Sequence, residues 1–194
     1  MNRILKSLSV LLVAASVPAS LSAQGFDGGD NVIGLGAGVG GLFGFGPVFM
    51  LNYDHGMGFK AGPGVVGIGA LVAYKSSIDN GTYNNYKWQR KAYTFAVRGT
   101  YHWNSWHKND KLDVYGGVIL GLSVRTDNLD DYYDNYYYNY YGYRYNSLYD
   151  SGKGVHPVAG VLVGAHWYFT NNFGVFAEAG SSVSNIGAGL TLKF

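Results

Sequence analysis

The sequence predicts an all-β fold class, in which eight antiparallel strands close into an up-and-down transmembrane β-barrel. Three observations predict it: short blocks alternate apolar with small or polar residues, the blocks number eight, and the two longest connections fall on the same side. Many of the 30 glycines lie inside these blocks, where each would cost a helix about 1 kcal/mol. Strands are therefore favoured over helices.

The segment 92–103 shows the alternation most clearly. Phe95 and Val97 belong to a face of large apolar side chains, whereas Ala96 and Arg98 belong to a face of small or polar ones. A soluble β-sandwich buries its large side chains, but a membrane barrel turns them toward lipid and fills its lumen with small or polar groups. The pattern favours the membrane barrel.

Seven further blocks complete the barrel. Clear alternation marks 31–41, 155–169 and 186–194, and the other blocks are 47–54, 61–75, 112–125 and 173–181. Block 61–75 has no clear register, so a glycine bulge is expected to interrupt it. Blocks of this size suit tilted strands, which need roughly 9–11 residues to cross a bilayer.

Residues 1–23 have the pattern of an export signal peptide, and residues 24–194 form the predicted barrel domain. Arg3 and Lys6 precede an apolar stretch, and small residues lead to an expected cleavage near Ala23-Gln24. The apolar stretch is shorter than the roughly 20 residues of a membrane-spanning helix. Export combined with a barrel predicts the outer membrane of a Gram-negative bacterium.

Composition excludes several classes of function. Without residues 1–23, the 12 Lys+Arg balance the 12 Asp+Glu, so a basic surface for nucleic acid is not expected. The chain has no cysteine, and therefore no disulfide, thiolate metal site or cysteine-linked lipid anchor. We predict no cofactor.

Connection lengths give an independent indication of topology. If the N-terminus lies in the periplasm, short turns are expected at His55–Gly58, Ser105–Lys111 and Thr170–Asn172. The two longest connections, 76–91 and 126–153, then lie outside the cell. Aromatic residues also gather at the predicted periplasmic strand ends, as expected of a membrane-interface girdle.

Several segments resemble a known family. Gly46-Pro-Val-Phe-Met-Leu-Asn-Tyr-Asp-His-Gly56, Lys111-Leu-Asp-Val-Tyr-Gly-Gly117 and Asn172-Phe-Gly-Val-Phe-Ala-Glu178 resemble the small outer-membrane β-barrel domain proteins. The resemblance implies the fold and the location, and no shared activity. Leu190, Leu192 and Phe194 resemble the C-terminal signal that the barrel insertion machinery recognises, so that machinery and membrane lipid are the implied partners.

Charged side chains on the inner face are expected to form a polar network in the lumen. Its candidate members are Arg98, His102, Asp113, His166, Glu178 and Lys193. Buried charges must pair, and Arg98 facing Glu178 is one expected pair; an ion path is the alternative. The two histidines and Asp113 are expected to form a hydrogen-bonded floor, with a metal site as the alternative.

The connection 126–153 is the main candidate for surface recognition. It contains ten tyrosines and an arginine between residues 132 and 149: Tyr132, Tyr133, Tyr136, Tyr137, Tyr138, Tyr140, Tyr141, Tyr143, Arg144, Tyr145 and Tyr149. Tyrosine combines a flat apolar body with a polar tip, which suits adaptable recognition surfaces. An extracellular glycan or protein is the possible partner, and a low-complexity loop without a ligand is the alternative.

These observations predict a monomer with a structural or surface-interaction role. A narrow, porin-like channel for small solutes is the first alternative. A surface enzyme is the second, because His156 follows Ser147 and Ser151 near the outer rim.

Overall fold

A computed structural model describes residues 25–41, 45–80, 87–107, 109–127 and 153–194 of the chain. The predicted signal peptide lies outside these residues. The strands are β1 (Asn31–Val39), β2 (Pro47–Ala61), β3 (Gly64–Asn80), β4 (Lys87–His102), β5 (Leu112–Asp127), β6 (Gly154–Tyr168), β7 (Phe173–Gly180) and β8 (Ile186–Lys193). Within the described ranges, no helix is long and apolar enough to cross a bilayer.

The eight strands form one closed antiparallel barrel in sequence order, which confirms the predicted fold class. Each strand pairs with the next, and β1 closes the barrel against β8. At the seam, the amide of Asn31 donates to the carbonyl of Phe194, and the amide of Phe194 donates back to Asn31, both at 2.9 Å. Closure removes the free strand edges that an open sheet would leave.

The alternation along the strands is the one the sequence predicts. On β4, Arg98 is 1% exposed whereas its neighbour Val97 is 61% exposed. Successive side chains of a strand point to opposite faces, so the apolar set lies outside and the small or polar set fills the lumen. This is the inverse of a soluble protein.

Inward-facing glycines leave room for the larger lumen side chains. A Cβ at Gly164 would lie 2.6 Å from the hydroxyl of Tyr115, and a Cβ at Gly34 would overlap the side-chain oxygen of Asn52. An eight-stranded barrel is only wide enough for its own side chains. These glycines therefore leave room for Tyr115 and Asn52 to lie over the neighbouring strand.

The predicted turn at His55–Gly58 is wrong. β2 continues to Ala61, the turn is at Gly62 with a φ of 61°, and the register shifts between Gly56 and Lys60. The irregularity therefore lies on β2, and not in block 61–75. The glycines around residue 57 suggested a turn, but a segment before β1 supplies hydrogen-bond partners there: Gly56 donates to the carbonyl of Asp30 at 2.8 Å.

The outer rim of the barrel has two heights. β3, β4, β5 and β6, which we call the tall wall, contain 15 to 17 residues each, whereas β7, β8 and β1, the low wall, contain eight or nine. The predicted outer loop 76–91 is largely strand, because pairing of β3 with β4 continues to Asn80 and Lys87. β6 pairs with β7 only from Leu162 to Tyr168, so its outer half rises above the low wall.

Candidate functional site

The outer surface of the barrel is a continuous apolar band. Its exposed side chains come from all eight strands and include Leu35, Phe49, Ile68, Phe95, Leu120, Val163, Phe173 and Leu190. Exposed aromatic side chains ring the end opposite the long connections: Tyr53, Phe59, Trp103, Trp167, Phe169, Phe173 and Phe194. Soluble monomers rarely expose apolar patches of more than a few hundred Å², and aromatic girdles are typical of membrane interfaces.

The centre of the lumen is built around Arg98. Its Nη2 lies 2.7 Å from Glu178 Oε1 on β7, and its Nε lies 3.0 Å from Asp54 Oδ1 on β2, at an angle that makes an ion pair but no hydrogen bond. All three side chains are buried. One cation thus compensates two carboxylates, and it links three strands across the lumen.

Two further members of this centre, Tyr115 and Asp54, were not predicted from the sequence. Tyr115 donates its hydroxyl hydrogen to Glu178 Oε1 at 2.8 Å, and its ring lies 5.8 Å from the guanidinium carbon of Arg98. Asp54 was placed at the end of its strand, beside the wrongly predicted turn. Its position one residue after the outward-facing Tyr53 was the signal that could have identified it.

A second group lies nearer the periplasmic end. Asp113 Oδ2 is 3.0 Å from His102 Nδ1 and 2.9 Å from His166 Nδ1, and Asn104 donates to Asp113 Oδ1 at 2.8 Å. A carboxylate only accepts hydrogen bonds, so this geometry assigns a proton to Nδ1 of each histidine. These two Nδ1 atoms therefore donate to Asp113 and do not ligate a metal. Among the described residues, no three His, Asp or Glu side chains are grouped to hold a metal ion.

The segment before β1 caps this group. The Phe26 ring stacks on His102 with ring centroids 3.8 Å apart, and it is buried. Lys193 donates to the carbonyl of Gly25 at 3.3 Å and lies 3.5 Å from a carboxylate oxygen of Asp30. Lys193 therefore contacts the segment before β1, whereas Arg98 contacts Asp54 and Glu178 at the centre of the lumen. A single aromatic residue before the first strand carries no periodic signal, so Phe26 was not predicted.

Apolar side chains close the lumen on the outer side of Arg98. The buried cluster includes Val48, Met50, Leu71, Ala73, Ile119, Val158 and Leu162. We call this set the apolar layer, and we call Asp54, Arg98, Tyr115 and Glu178 with His102, Asp113 and His166 the charged layer. The described part of the lumen is therefore filled by two layers of different chemistry.

The remaining candidates lie at the two ends of the barrel. Leu190, Leu192 and Phe194 face outward and are exposed, the orientation in which a membrane factor can contact them. His156 faces inward on β6, opposite Ser123 on β5. The tyrosine-rich segment from Tyr132 to Tyr149, with Ser147 and Ser151, lies outside the described residues.

Comparison with known proteins finds similar structures only. No protein-family model and no curated protein matches the chain. The chain is similar to the N-terminal β-barrel domain of OprF from Pseudomonas aeruginosa, with 15% identity, coverage of 87% of this chain and 100% of that one, and a TM-score of 0.47. It is also similar to Neisserial surface protein A, with 14% identity, coverage of 85% of this chain and 96% of that one, and a TM-score of 0.46. For Ail, the attachment invasion locus protein of Yersinia pestis, the identity is 13%, the coverage is 86% of this chain and 99% of that one, and the TM-score is 0.44.

These neighbours are outer-membrane β-barrels. Their identities to this chain are too low to assign a role to any of its residues.

Proposed function

We propose that this chain is an integral outer-membrane barrel with a closed lumen, and that it presents tyrosine-rich loops at the cell surface. The observation that carries the proposal is the inverted distribution of polarity, with large apolar side chains outside and a paired polar network inside. Lipid is the solvent that stabilises such a surface. The role is structural or interactive.

Two features of the lumen argue against a channel. An ion crossing the charged layer would have to displace Arg98 from Asp54 and Glu178, and leaving one charge of a buried ion pair uncompensated costs about 3–5 kcal/mol. It would then meet the apolar layer, whose side chains offer an ion no ligand in place of its hydration shell. Both features predict that solutes do not pass.

The shape of the rim supports a role at the surface. The connection 128–152 joins β5 and β6, two strands of the tall wall. β5 and β6 pair with each other out to Arg125 and Gly154, beyond the point where β6 stops pairing with β7. Tyrosines in the connection can stack on sugar rings or pack against protein, so an extracellular glycan or protein is the proposed partner.

Solute release from liposomes tests the closed lumen. Refolded protein would be reconstituted beside a variant lacking residues 130–150, and the release of trapped solutes of graded size would be measured. We expect release from neither form to exceed that of protein-free liposomes. Steady, size-limited release from the full chain would establish the channel instead, and release only after trimming would make the segment a gate.

Binding to whole proteoliposomes tests the surface role. A variant with the ten tyrosines of 132–149 replaced by serine keeps the length of the loop and is the matched control for the deletion. We expect binding to glycan arrays and to host extracellular proteins to be lost in both variants. Binding retained by the serine variant would contradict a tyrosine-based surface.

The C-terminal strand is proposed to be the insertion signal. Phe194→Ala should lower the amount of barrel assembled in the outer membrane, because it removes the exposed terminal ring. Phe173→Ala changes a neighbouring girdle residue and is the control. Equal loss in both variants would show a general effect of the girdle, and the signal would be refuted.

A further inference from the structure

The outer face of the tall wall ends in a row of polar side chains. The strand register places Ser76 on β3, Lys91 on β4 and Thr126 on β5 side by side, and neighbouring strands are about 4.8 Å apart. Directly paired residues share a face, and this row faces outward, because Ala92, the residue after Lys91, is buried in the lumen. We call Ser76, Lys91 and Thr126 the polar row.

The next outward-facing row toward the periplasm is large and apolar. It consists of Tyr74, Tyr93, Val124 and Val155, which pair in this order across β3, β4, β5 and β6. The ring centroids of Tyr74 and Tyr93 lie 5.1 Å apart. Tyrosine is enriched at membrane interfaces, where its ring meets hydrocarbon and its hydroxyl meets the headgroups. In the membrane placement proposed above, the polar row therefore lies at the depth of the outer headgroups.

An apolar groove runs from this boundary into the apolar band. Its volume is about 590 Å³, and its sides are formed by Phe95, Val97, Leu120, Leu122, Val124 and Val155. Ala96 on β4 and Gly121 on β5, which pair with each other between the two sides, complete the lining. Volumes of about 300–1,000 Å³ are typical of sites that hold small molecules. The groove is therefore large enough to hold part of a ligand.

The groove and the polar row are continuous and differ in chemistry. Val124 lines the groove, and Thr126 is the next outward-facing residue on the same strand. An apolar groove at this depth meets hydrocarbon, so it fits an acyl chain. At its outer end, Lys91 supplies a positive charge, and Ser76 and Thr126 supply hydroxyl donors on either side. Lysine binds phosphate as a point charge, and hydroxyl groups donate hydrogen bonds to phosphate oxygens.

We propose that the polar row and the groove form one binding site for an anionic lipid of the outer leaflet. The phosphate of the lipid would lie at Lys91, between Ser76 and Thr126, and one acyl chain would lie in the groove. The lipid would thus be held on the wall that carries the connection 128–152. The proposal rests on the membrane placement proposed above and adds a specific lipid partner to that barrel.

The first experiment compares three probes on the refolded full chain in micelles of an uncharged detergent. The probes are phosphatidic acid, phosphatidylcholine with the same acyl chains, and glycerol phosphate, which has no acyl chain. We expect phosphatidic acid to raise the thermal unfolding midpoint saturably, and the other two probes to have much smaller effects. An equal response to phosphatidylcholine would overturn the recognition of anionic headgroups. An equal response to glycerol phosphate would overturn the lipid, since phosphate alone would suffice.

Variants of Lys91 test the headgroup part of the site. The affinity is the mole fraction of phosphatidic acid that gives half of the rise, which does not depend on the starting midpoint. Lys91→Gln should weaken binding about fivefold, the effect of one basic residue near a membrane surface, and Lys91→Arg should retain most of it. Lys111→Gln, at the periplasmic end, is the control and should change binding less than about twofold, since a distant exposed charge is screened. Equal losses in Lys91→Gln and in the control would overturn the proposal, because any surface charge would then suffice.

A second pair of variants tests the groove. Val97→Phe fills part of it and displaces at least one methylene of the acyl chain, so binding should weaken about fourfold or more. Val163→Phe is the matched control, because Val163 on β6 is 63% exposed, beside 61% for Val97, and does not line the groove. Equal binding by the two variants would refute the groove. Heat-modifiable gel mobility reports the folded barrel in the same samples, and liposome release tests the closed lumen separately. A folded, closed barrel without a lipid response would therefore refute this site alone.

Discussion

The two layers of the lumen close the barrel by different physics. In the charged layer, Arg98 is compensated by Asp54 and Glu178 at 3.0 and 2.7 Å, so its stability depends on a few specific pairs. In the apolar layer, residues such as Ile119 and Leu162 are buried by shape and volume, and no pair is essential. Equally buried side chains can therefore respond very differently to mutation. Removing one partner of an ion pair leaves a charge uncompensated, whereas removing one methylene leaves only a small void.

The largest expected effect comes from Arg98→Ala. It leaves two buried carboxylates without a cation, and breaking a buried pair in this way costs about 3–5 kcal/mol. Unfolding by urea in detergent, followed by heat-modifiable gel mobility and tryptophan fluorescence, would measure the loss of free energy of unfolding.

A double-mutant cycle tests whether the loss belongs to the pair. Glu178→Ala alone removes one of the two carboxylates that contact Arg98, together with the acceptor of the Tyr115 hydroxyl. The double variant should therefore be less unstable than the sum of the two single variants predicts. Strict additivity would mean that Arg98 and Glu178 act independently, and the charged layer would not be a network.

The alternation of β4 was enough to predict that Arg98 and His102 face inward. Val97 and Phe95 are large and apolar, so they are expected to face outward. The period of two then assigns the alternate side chains to the lumen. The closed fold followed from repeating this argument over eight blocks. The second partner of Arg98, Asp54, was harder to predict, because which strands face Arg98 across the lumen depends on the stagger of the whole barrel.

The missed features have a common physical cause. Asp54 and Phe26 act at places where the chain departs from a regular strand, next to the irregularity in β2 and before β1. A glycine at residue 56 suggests a turn locally, but pairing with Gly67 and hydrogen bonds with Gly29 and Asp30 from outside the strand keep it extended. Such long-range compensation leaves no periodic trace in the sequence.

A smaller effect is expected in the histidine group of the charged layer. Asp113→Asn keeps the size of the side chain but replaces one acceptor oxygen with a donor that faces His102 or His166. Losing one charge-assisted hydrogen bond, with the second weakened, should lower the free energy of unfolding by about 2–3 kcal/mol. The same urea titration measures it, and Asp110→Asn, on the exposed turn before β5, is the control. A change below that of the control would show that the Asp113 contacts contribute nothing to stability.

The smallest effect is expected in the apolar layer. Ile119→Val removes one buried methylene, and such a change costs about 1 kcal/mol because neighbours such as Leu162 and Val158 relax only partly into the void. Leu120→Val is the matched control: Leu120 is the next residue on β5, but it faces outward and is 59% exposed, so detergent or lipid fills the space that it leaves. The loss of unfolding free energy should therefore be larger at residue 119 than at residue 120, and neither variant should release solute from liposomes. A larger loss at residue 120 would mean that the lipid-facing surface is packed more tightly than the lumen, and it would contradict close packing of the apolar layer.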